Sequence, residues 1–320
     1  MQNIRCNLCN SLDEVEIYNN KDGLRVVMCG SCSLVYLNPR LSEKDFRLFY
    51  QQEFQDKRRG LKSKEEAIER LEQKGSYEQR LSLIPYFEGY IDSSSNVLEI
   101  GCGWGTLLKV LKDKFGCKAE GVEPSSLACQ VAREYYKLEV FQGNLNEYLR
   151  FSLGTGKRFD FIMLSHVLEH LIDPSRSLVQ LRSLLNDGGA IYMAMPDISN
   201  PSEKPEDFFH KGHCHYFSPK TVILLLIKSG FKPSWLKRDF ADMKMIVAPI
   251  EGKRDVCEFM NYIIFFKGER VRKIVNNYLL RYRLLKKLKN LVLMIIPGAT
   301  RESVIRCAVN ALKKLKIIKV

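Results

Sequence analysis

Hydrophobic positions in the middle of this chain fall in short blocks separated by stretches with helical spacing. Residues 97–100 form a buried strand pattern that runs into Gly101-Cys102-Gly103-Trp104-Gly105, and residues 106–115 then carry apolar side chains at helical spacing. Further strand patterns follow at residues 119–124, 140–145, 159–164 and 190–195, with a helix end and a Gly188-Gly189 turn before the last of these. Two more are expected near 231–238 and 243–250. Strands alternating with helices predict a parallel α/β sheet covered on both faces.

The glycine-rich turn carries the first chemistry. Alternate glycines let the backbone pass close to a ligand without a Cβ in the way, and the helix start beyond them offers unpaired N–H groups. Such a turn cradles a nucleotide or nucleoside. A dinucleotide fingerprint has the form G-x-G-x-x-G. Here the third glycine comes one residue early, and Thr106 stands where that fingerprint has Gly. A pyrophosphate calls for a bare helix N-terminus, whereas a cationic ligand calls for a carboxylate, which Glu99 supplies two places before Gly101.

The run Glu99-x-Gly101-x-Gly103-x-Gly105 resembles the first motif of class I S-adenosylmethionine-dependent methyltransferases. The likeness continues in order. Glu123 ends the next strand 22 residues after Gly101, where Rossmann-type units place the acid for ribose hydroxyls. Asn144 and Leu145 resemble the adenine-binding motif, with Asn144 at a position that is often Asp. Ser165 and His166 follow the fourth strand and are expected at the methionine end of the cofactor. Tyr77 and Arg80, just before the core, match a spot where such enzymes often touch the cofactor carboxylate; a plain surface arginine is the alternative. The resemblance implies a Rossmann-like, three-layer fold with a seven-stranded, mostly parallel sheet.

His166-Val167-Leu168-Glu169-His170 is a literal H-x-x-E-H, the pattern of one class of zinc peptidases. Its position at the end of a central strand, beside the glycine turn, favours the V-L-E-H-L stretch common in methyltransferases. All five histidines lie after strands four and five, where loops leave the carboxyl edge of an open α/β sheet. Three of them, His210, His213 and His215, precede Tyr216-Phe217-Ser218. Sugar C-methyltransferases of a zinc-binding bacterial group carry a Glu-His pair shortly before Tyr-Phe-Ser. The histidine of that pair falls on His213 and the glutamate on Gly212, which departs from carbon methylation and leaves oxygen or nitrogen methylation open. A histidine suits removal of the acceptor's proton; His213 is the expected base, with His170 and His215 as reserves. A metal-ligand role for His213 and His215, or a structural one for the cluster, is the alternative.

Cys6-x-x-Cys9 and Cys29-x-x-Cys32 are two knuckles with the spacing of a four-thiolate zinc site. Four protein ligands would leave zinc no open position, so the ion is expected to be structural. The continuation Cys32-Ser33-Leu34-Val35-Tyr36-Leu37-Asn38-Pro39-Arg40 resembles the N-terminal segment of the same bacterial group, which includes enzymes that modify deoxysugars and polysaccharides. The resemblance implies a sugar, nucleotide sugar or lipid-linked glycan as acceptor.

Composition changes this picture in two places. Ten cysteines without a visible secretion signal point to a reducing compartment and a cytoplasmic location, and no apolar run approaches the ~18 residues of a spanning helix. The net charge of +13 belongs almost wholly to residues 251–320, which hold 17 Lys+Arg against 5 Asp+Glu. This predicts a basic amphipathic helical tail, either lying on an anionic membrane surface at the inner face or serving as a helical cap or dimer contact with a solvated basic face. The expected organisation is a zinc ribbon over 1–40, a helical connector over 41–90, the cofactor-binding domain over 91–250 and the tail over 251–320. RNA methylation is the rival reading, since a basic tail suits phosphates, but the ribbon and core are nearly charge-balanced. A cofactor-binding relative without turnover is a further alternative.

Overall fold

The computed structural model describes residues 1–49, 63–239, 241–251, 271–280 and 282–284. The larger of its two sheets has seven strands: β4 (Asn96–Ile100), β5 (Lys118–Glu123), β6 (Glu139–Gln142), β7 (Phe159–Ser165), β8 (Leu185–Pro196), β10 (Phe231–Asp239) and β11 (Asp242–Pro249). Their order is β10-β11-β8-β7-β4-β5-β6. The five strands from β6 to β8 run parallel, and β10 and β11 form an antiparallel hairpin along the β8 side. This is the expected seven-stranded, mostly parallel, Rossmann-like sheet.

Helices pack on both faces because each carries an apolar stripe. On one face α4 (Thr106–Phe115) buries Leu107 and Leu111 against Val97, Phe161 and Tyr192. On the other, α6 (Leu145–Leu153), α7 (Pro174–Arg182) and α9 (Pro219–Lys228) bury Tyr148, Leu178 and Val222 against Leu98, Ile162 and Met193. The helix α5 (Ser126–Glu134) is held by its Ser125 cap and fits Ala132 under Gly105. From β4 the chain winds outward to β5 and β6, then returns to start β7 on the other side of β4. The carboxyl ends of β4 and β7 therefore form a topological switch point, where open α/β sheets bind ligands. The expected Gly188-Gly189 turn lies within β8 as an irregularity, because β8 already pairs at Leu185 and shifts register against β7 before Ala190.

The smaller sheet contains β1 (Glu14–Asn19), β2 (Arg25–Cys29), β3 (Val35–Leu37) and β9 (His215–Tyr216), in that order. The cysteine segment is thus completed by a strand from beyond β8, with Tyr36 paired to His215 and Val35 to Tyr216. The connection to α7 is also polar: Asn7 donates to Asp173 at 2.9 Å, and Arg40 donates to the Ile172 carbonyl at 2.8 Å. The short α8 (Pro205–Phe208) packs on this sheet, whereas α2 (Lys64–Gln73) packs on α5, α3 (Ser76–Leu81) meets α4, and α1 (Glu43–Phe49) lies beside the start of α6, all at the larger sheet.

Of the basic tail, residues 271–280 form a helix, α10. Its Val271, Val275 and Leu279 are buried with Ile17, Val26, Phe208 and Phe209, while Arg272 and Lys273 face outward. The apolar stripe of these turns is covered by the chain's own smaller sheet. The remaining apolar and basic runs expected in the tail lie outside the described residues. No helix among the described residues is long and apolar enough to cross a membrane.

Candidate functional site

A cavity of about 960 Å³ opens at the switch point, within the size range of small-molecule and cofactor sites. Ten of the residues expected to bind the cofactor or serve as base meet on its wall: Arg80, Glu99, Gly101, Gly103, Glu123, Asn144, Leu145, Ser165, His166 and His170.

The glycine turn is built for close approach. Gly101 and Gly103 have φ of 69° and 56°, a region that side chains with a Cβ rarely adopt. A Cβ on Gly101 would lie 2.7 Å from Val167 Cγ2. Gly105 caps α4 instead of lining the cavity, and a Cβ there would meet Leu138 and Ala132. Its role is packing of the turn against α5.

Two carboxylates frame the turn. Glu99 is 4% exposed and its Oε2 has no hydrogen-bond partner. Burial pushes its pKa up to about 8, with Arg80 pulling the other way and Glu123 adding to the rise. Glu123, at the end of β5, accepts hydrogen bonds from Gly103 N at 2.9 Å and Ser125 N at 2.8 Å. It thereby ties the glycine turn to the start of α5. Asn144 caps α6 in a reciprocal arrangement with Glu147, its carbonyl accepting from Glu147 N at 3.0 Å. The oxygen expected to receive an adenine amino group is therefore also the helix cap.

His166 stands at φ of 55° just after β7. Its Nδ1 lies 3.5 Å from Glu169 Oε1 and its Nε2 lies 3.4 Å from Asp242 Oδ2. Burial works to lower its pKa, but Asp242 and Glu169 outweigh that and push it up to about 10. The two carboxylates therefore favour the protonated form of His166, whose side chain is 46% exposed. Residues after it form a single 3-10 turn, Leu168–His170, with no longer helix. The two histidines of H-x-x-E-H do not share a helix face, which removes the peptidase arrangement.

His170 Nδ1 lies 2.7 Å from the Gly212 carbonyl, and its ring is 4.8 Å from that of His213. His213 is buried, with Nδ1 3.2 Å from the Phe208 carbonyl, and it stands behind His170, off the cavity wall. His215 is corrected outright as a reserve base. It is fully buried on β9 with neither ring nitrogen hydrogen-bonded, and burial together with the Arg40 charge pushes its pKa down to about 3. Pairing of β9 with β3 turns it into the core. Tyr77 is likewise not brought to the cavity, because its hydroxyl donates to Asp113 at 2.9 Å. Asp242, which holds His166 from β11, and Glu43 and Arg47, which reach the wall from α1, had no local signal: each comes from an element distant in sequence.

The second site is the cysteine cluster. Sγ atoms of Cys6, Cys9, Cys29 and Cys32 all lie within 4.8 Å of one another, with 3.5 Å between Cys6 and Cys32 and 3.4 Å between Cys9 and Cys29. Four sulfurs at ~2.3 Å from a tetrahedral ion would stand roughly 3.8 Å apart, so the cluster is compatible with zinc. The hydrogen bond between Cys6 and Cys32 lowers the pKa of Cys6 and raises that of Cys32, and burial raises that of Cys9.

Residues 71–234 match a family described as a methyltransferase domain. A ubiquinone biosynthesis O-methyltransferase of Coxiella burnetii is 30% identical over 115 residues, covering 35% of this chain and 48% of that protein. Its counterpart in Pasteurella multocida is 28% identical over 137 residues, covering 38% and 56%. The chain thus spans about half the length of the curated relatives it matches. Among solved structures, a magnesium protoporphyrin IX methyltransferase from Synechocystis, solved with bound S-adenosylhomocysteine, overlaps 64% of this chain and 99% of its own at 14% identity, with a TM-score of 0.45. With the matched segment running from α2 through the glycine turn and the cavity-lining strands into β10, this chain belongs to the methyltransferase domain family.

Proposed function

We propose that this chain is an S-adenosylmethionine-dependent methyltransferase acting on a hydroxyl or amine of a small-molecule acceptor. The observation that carries this reading is Glu99: a buried carboxylate with an oxygen lacking any partner, at the wall of a cavity floored by glycines. Leaving such an oxygen unpaired is unfavourable, and the ammonium of the cofactor's amino-acid end would satisfy it. Gly101 and Gly103 leave room for the ligand, Glu123 offers an oriented carboxylate for ribose hydroxyls, and Asn144 and Leu145 border the place for the base. Names of the curated relatives speak for an oxygen acceptor. They lend no support to a sugar.

The bound cofactor supplies an activated methyl group, which leaves sulfur for the acceptor's oxygen or nitrogen while the acceptor loses a proton. The protein's share is alignment, largely a proximity effect, and help with that proton. His166 is poorly suited to accept it, since both ring nitrogens face carboxylates. His170, on the wall, borders the space left to the acceptor. We further propose that the four cysteines hold a structural zinc ion, on the strength of their mutual distances.

Calorimetric titration with S-adenosylmethionine, with NAD as control, tests the reading. Micromolar binding of the former alone, abolished or strongly weakened in Glu99→Gln, is the expected outcome. Preference for NAD, or no binding by the folded protein, would overturn it.

A further inference from the structure

Glu169 is 2% exposed, and neither of its carboxylate oxygens has a hydrogen-bond partner. Its nearest charged neighbour, His166 Nδ1, is 3.5 Å away, an ion pair rather than a hydrogen bond. His166 meets one of these oxygens at ion-pair distance, but a buried carboxylate also needs donors or ligands on its oxygens, and Glu169 has no hydrogen bond to either. One donor atom from each of Glu169, His170 and His213 lies within 4.8 Å of the others. Both imidazoles also set Nδ1 against a backbone carbonyl, that of Gly212 for His170 and that of Phe208 for His213. Metal-ligating histidines are oriented in this manner, by a carbonyl on the nitrogen that does not bind the ion.

We propose that Glu169, His170 and His213 form a binding site for a divalent first-row transition-metal cation at the wall of the cofactor cavity. Two imidazoles and one carboxylate suit ions of the iron, manganese, cobalt and zinc group, and leave coordination positions open. The site is distinct from the cysteine cluster in both ligand type and place. It uses two residues of the H-x-x-E-H run, Glu169 and His170, but its third ligand is His213, while His166 sits between Glu169 and Asp242 with a carboxylate at each ring nitrogen. Of the three ligands only His170 lines the cavity, and an acceptor there would meet the ion from its side. An acceptor hydroxyl coordinated to it becomes a stronger acid, its proton leaving to water before or as the oxygen takes the methyl group. That role rests on the methyl-transfer reading above, whereas binding of the ion does not.

The test is titration with Mn²⁺ of protein freed of metal in excess of one zinc ion per chain, the complement of the cysteine cluster, followed by loss of the free-ion electron paramagnetic resonance signal. The hard Mn²⁺ ion does not compete for four thiolates. One Mn²⁺ per chain should bind, and Glu169→Gln and His170→Gln should each weaken it by more than about tenfold. Circular dichroism with a cooperative thermal melt shows that each variant is folded, and because Glu169 is buried and His170 half-buried, a variant that misfolds leaves the other to decide. No Mn²⁺ binding by the parent protein, or equal binding by a folded variant, would overturn the proposal. Mn²⁺ binding without cofactor binding would leave this site standing and remove the cofactor reading; cofactor binding without Mn²⁺ would do the reverse.

Discussion

Cofactor affinity should depend on pH through Glu99. Its pKa moves from an ordinary 4.5 up to about 8 because burial disfavours the charged form. In the free protein at pH 7 roughly a tenth of the molecules carry the ionised carboxylate, and at pH 8 about half do. A ligand whose ammonium needs that charge must first expel the proton. Affinity for S-adenosylhomocysteine should therefore rise roughly fivefold from pH 7 to 8 and flatten above about pH 9. Calorimetry in buffers of different ionisation enthalpy should detect close to one proton released per ligand at pH 7. Glu99→Gln should abolish both effects and weaken binding by about 2–3 kcal/mol, the worth of a charge-assisted hydrogen bond. The same group has an opposite effect on stability. Its folded pKa is raised, so the stability tied to its proton is present below 4.5 and lost as pH climbs through about 8. The loss at high pH is on the order of 5 kcal/mol. Glu99→Gln without ligand should thus resist urea better than the parent at pH 9, with no difference at pH 4. A pH-independent affinity with no proton release would refute the reasoning, whatever the variant's affinity.

Three further outcomes are expected. Gly101→Ala forces a Cβ into the left-handed region, 2.7 Å from Val167 Cγ2; it should cost about 1–2 kcal/mol, read as a lower melting temperature, and should weaken S-adenosylhomocysteine binding. Elemental analysis should find one zinc ion per chain, lost in Cys9→Ser together with stability on thermal melting; a melt unchanged after zinc loss would refute a structural ion. Val275→Asp places an unpaired carboxylate at a position with 0% exposure and should destabilise the protein by about 3 kcal/mol or more, seen as early proteolysis near α10.

What could be read from the sequence were features whose cause is local. A strand, a glycine turn and a helix start are contiguous, so Glu99, Gly101 and Gly103 could be placed on the cavity from spacing alone. Glu123 and Asn144 end or follow strands in the same way. Misplaced residues owe their position to distant partners. Tyr77 is taken by Asp113 on α4 and His215 is turned inward by β3. The pattern of H-x-x-E-H suggests a helix, but the positive φ of His166 and the short turn after it give a different geometry. Glu169 stood within a motif already explained as methyltransferase-like, and nothing near it in sequence indicates that it would be buried beside His213.

The borrowed strand has a consequence for how the chain is made. β3 ends at Leu37, and the strand that closes its sheet, β9, begins only at His215. With ribosomes adding about 5–20 residues per second, roughly 10–35 s pass between the two. During that interval Val35 and Tyr36 present an open edge, and unpaired edges invite wrong partners. Cys6, Cys9, Cys29 and Cys32 have all emerged by then, so an ion captured early would hold the nascent hairpin in register until its last strand arrives.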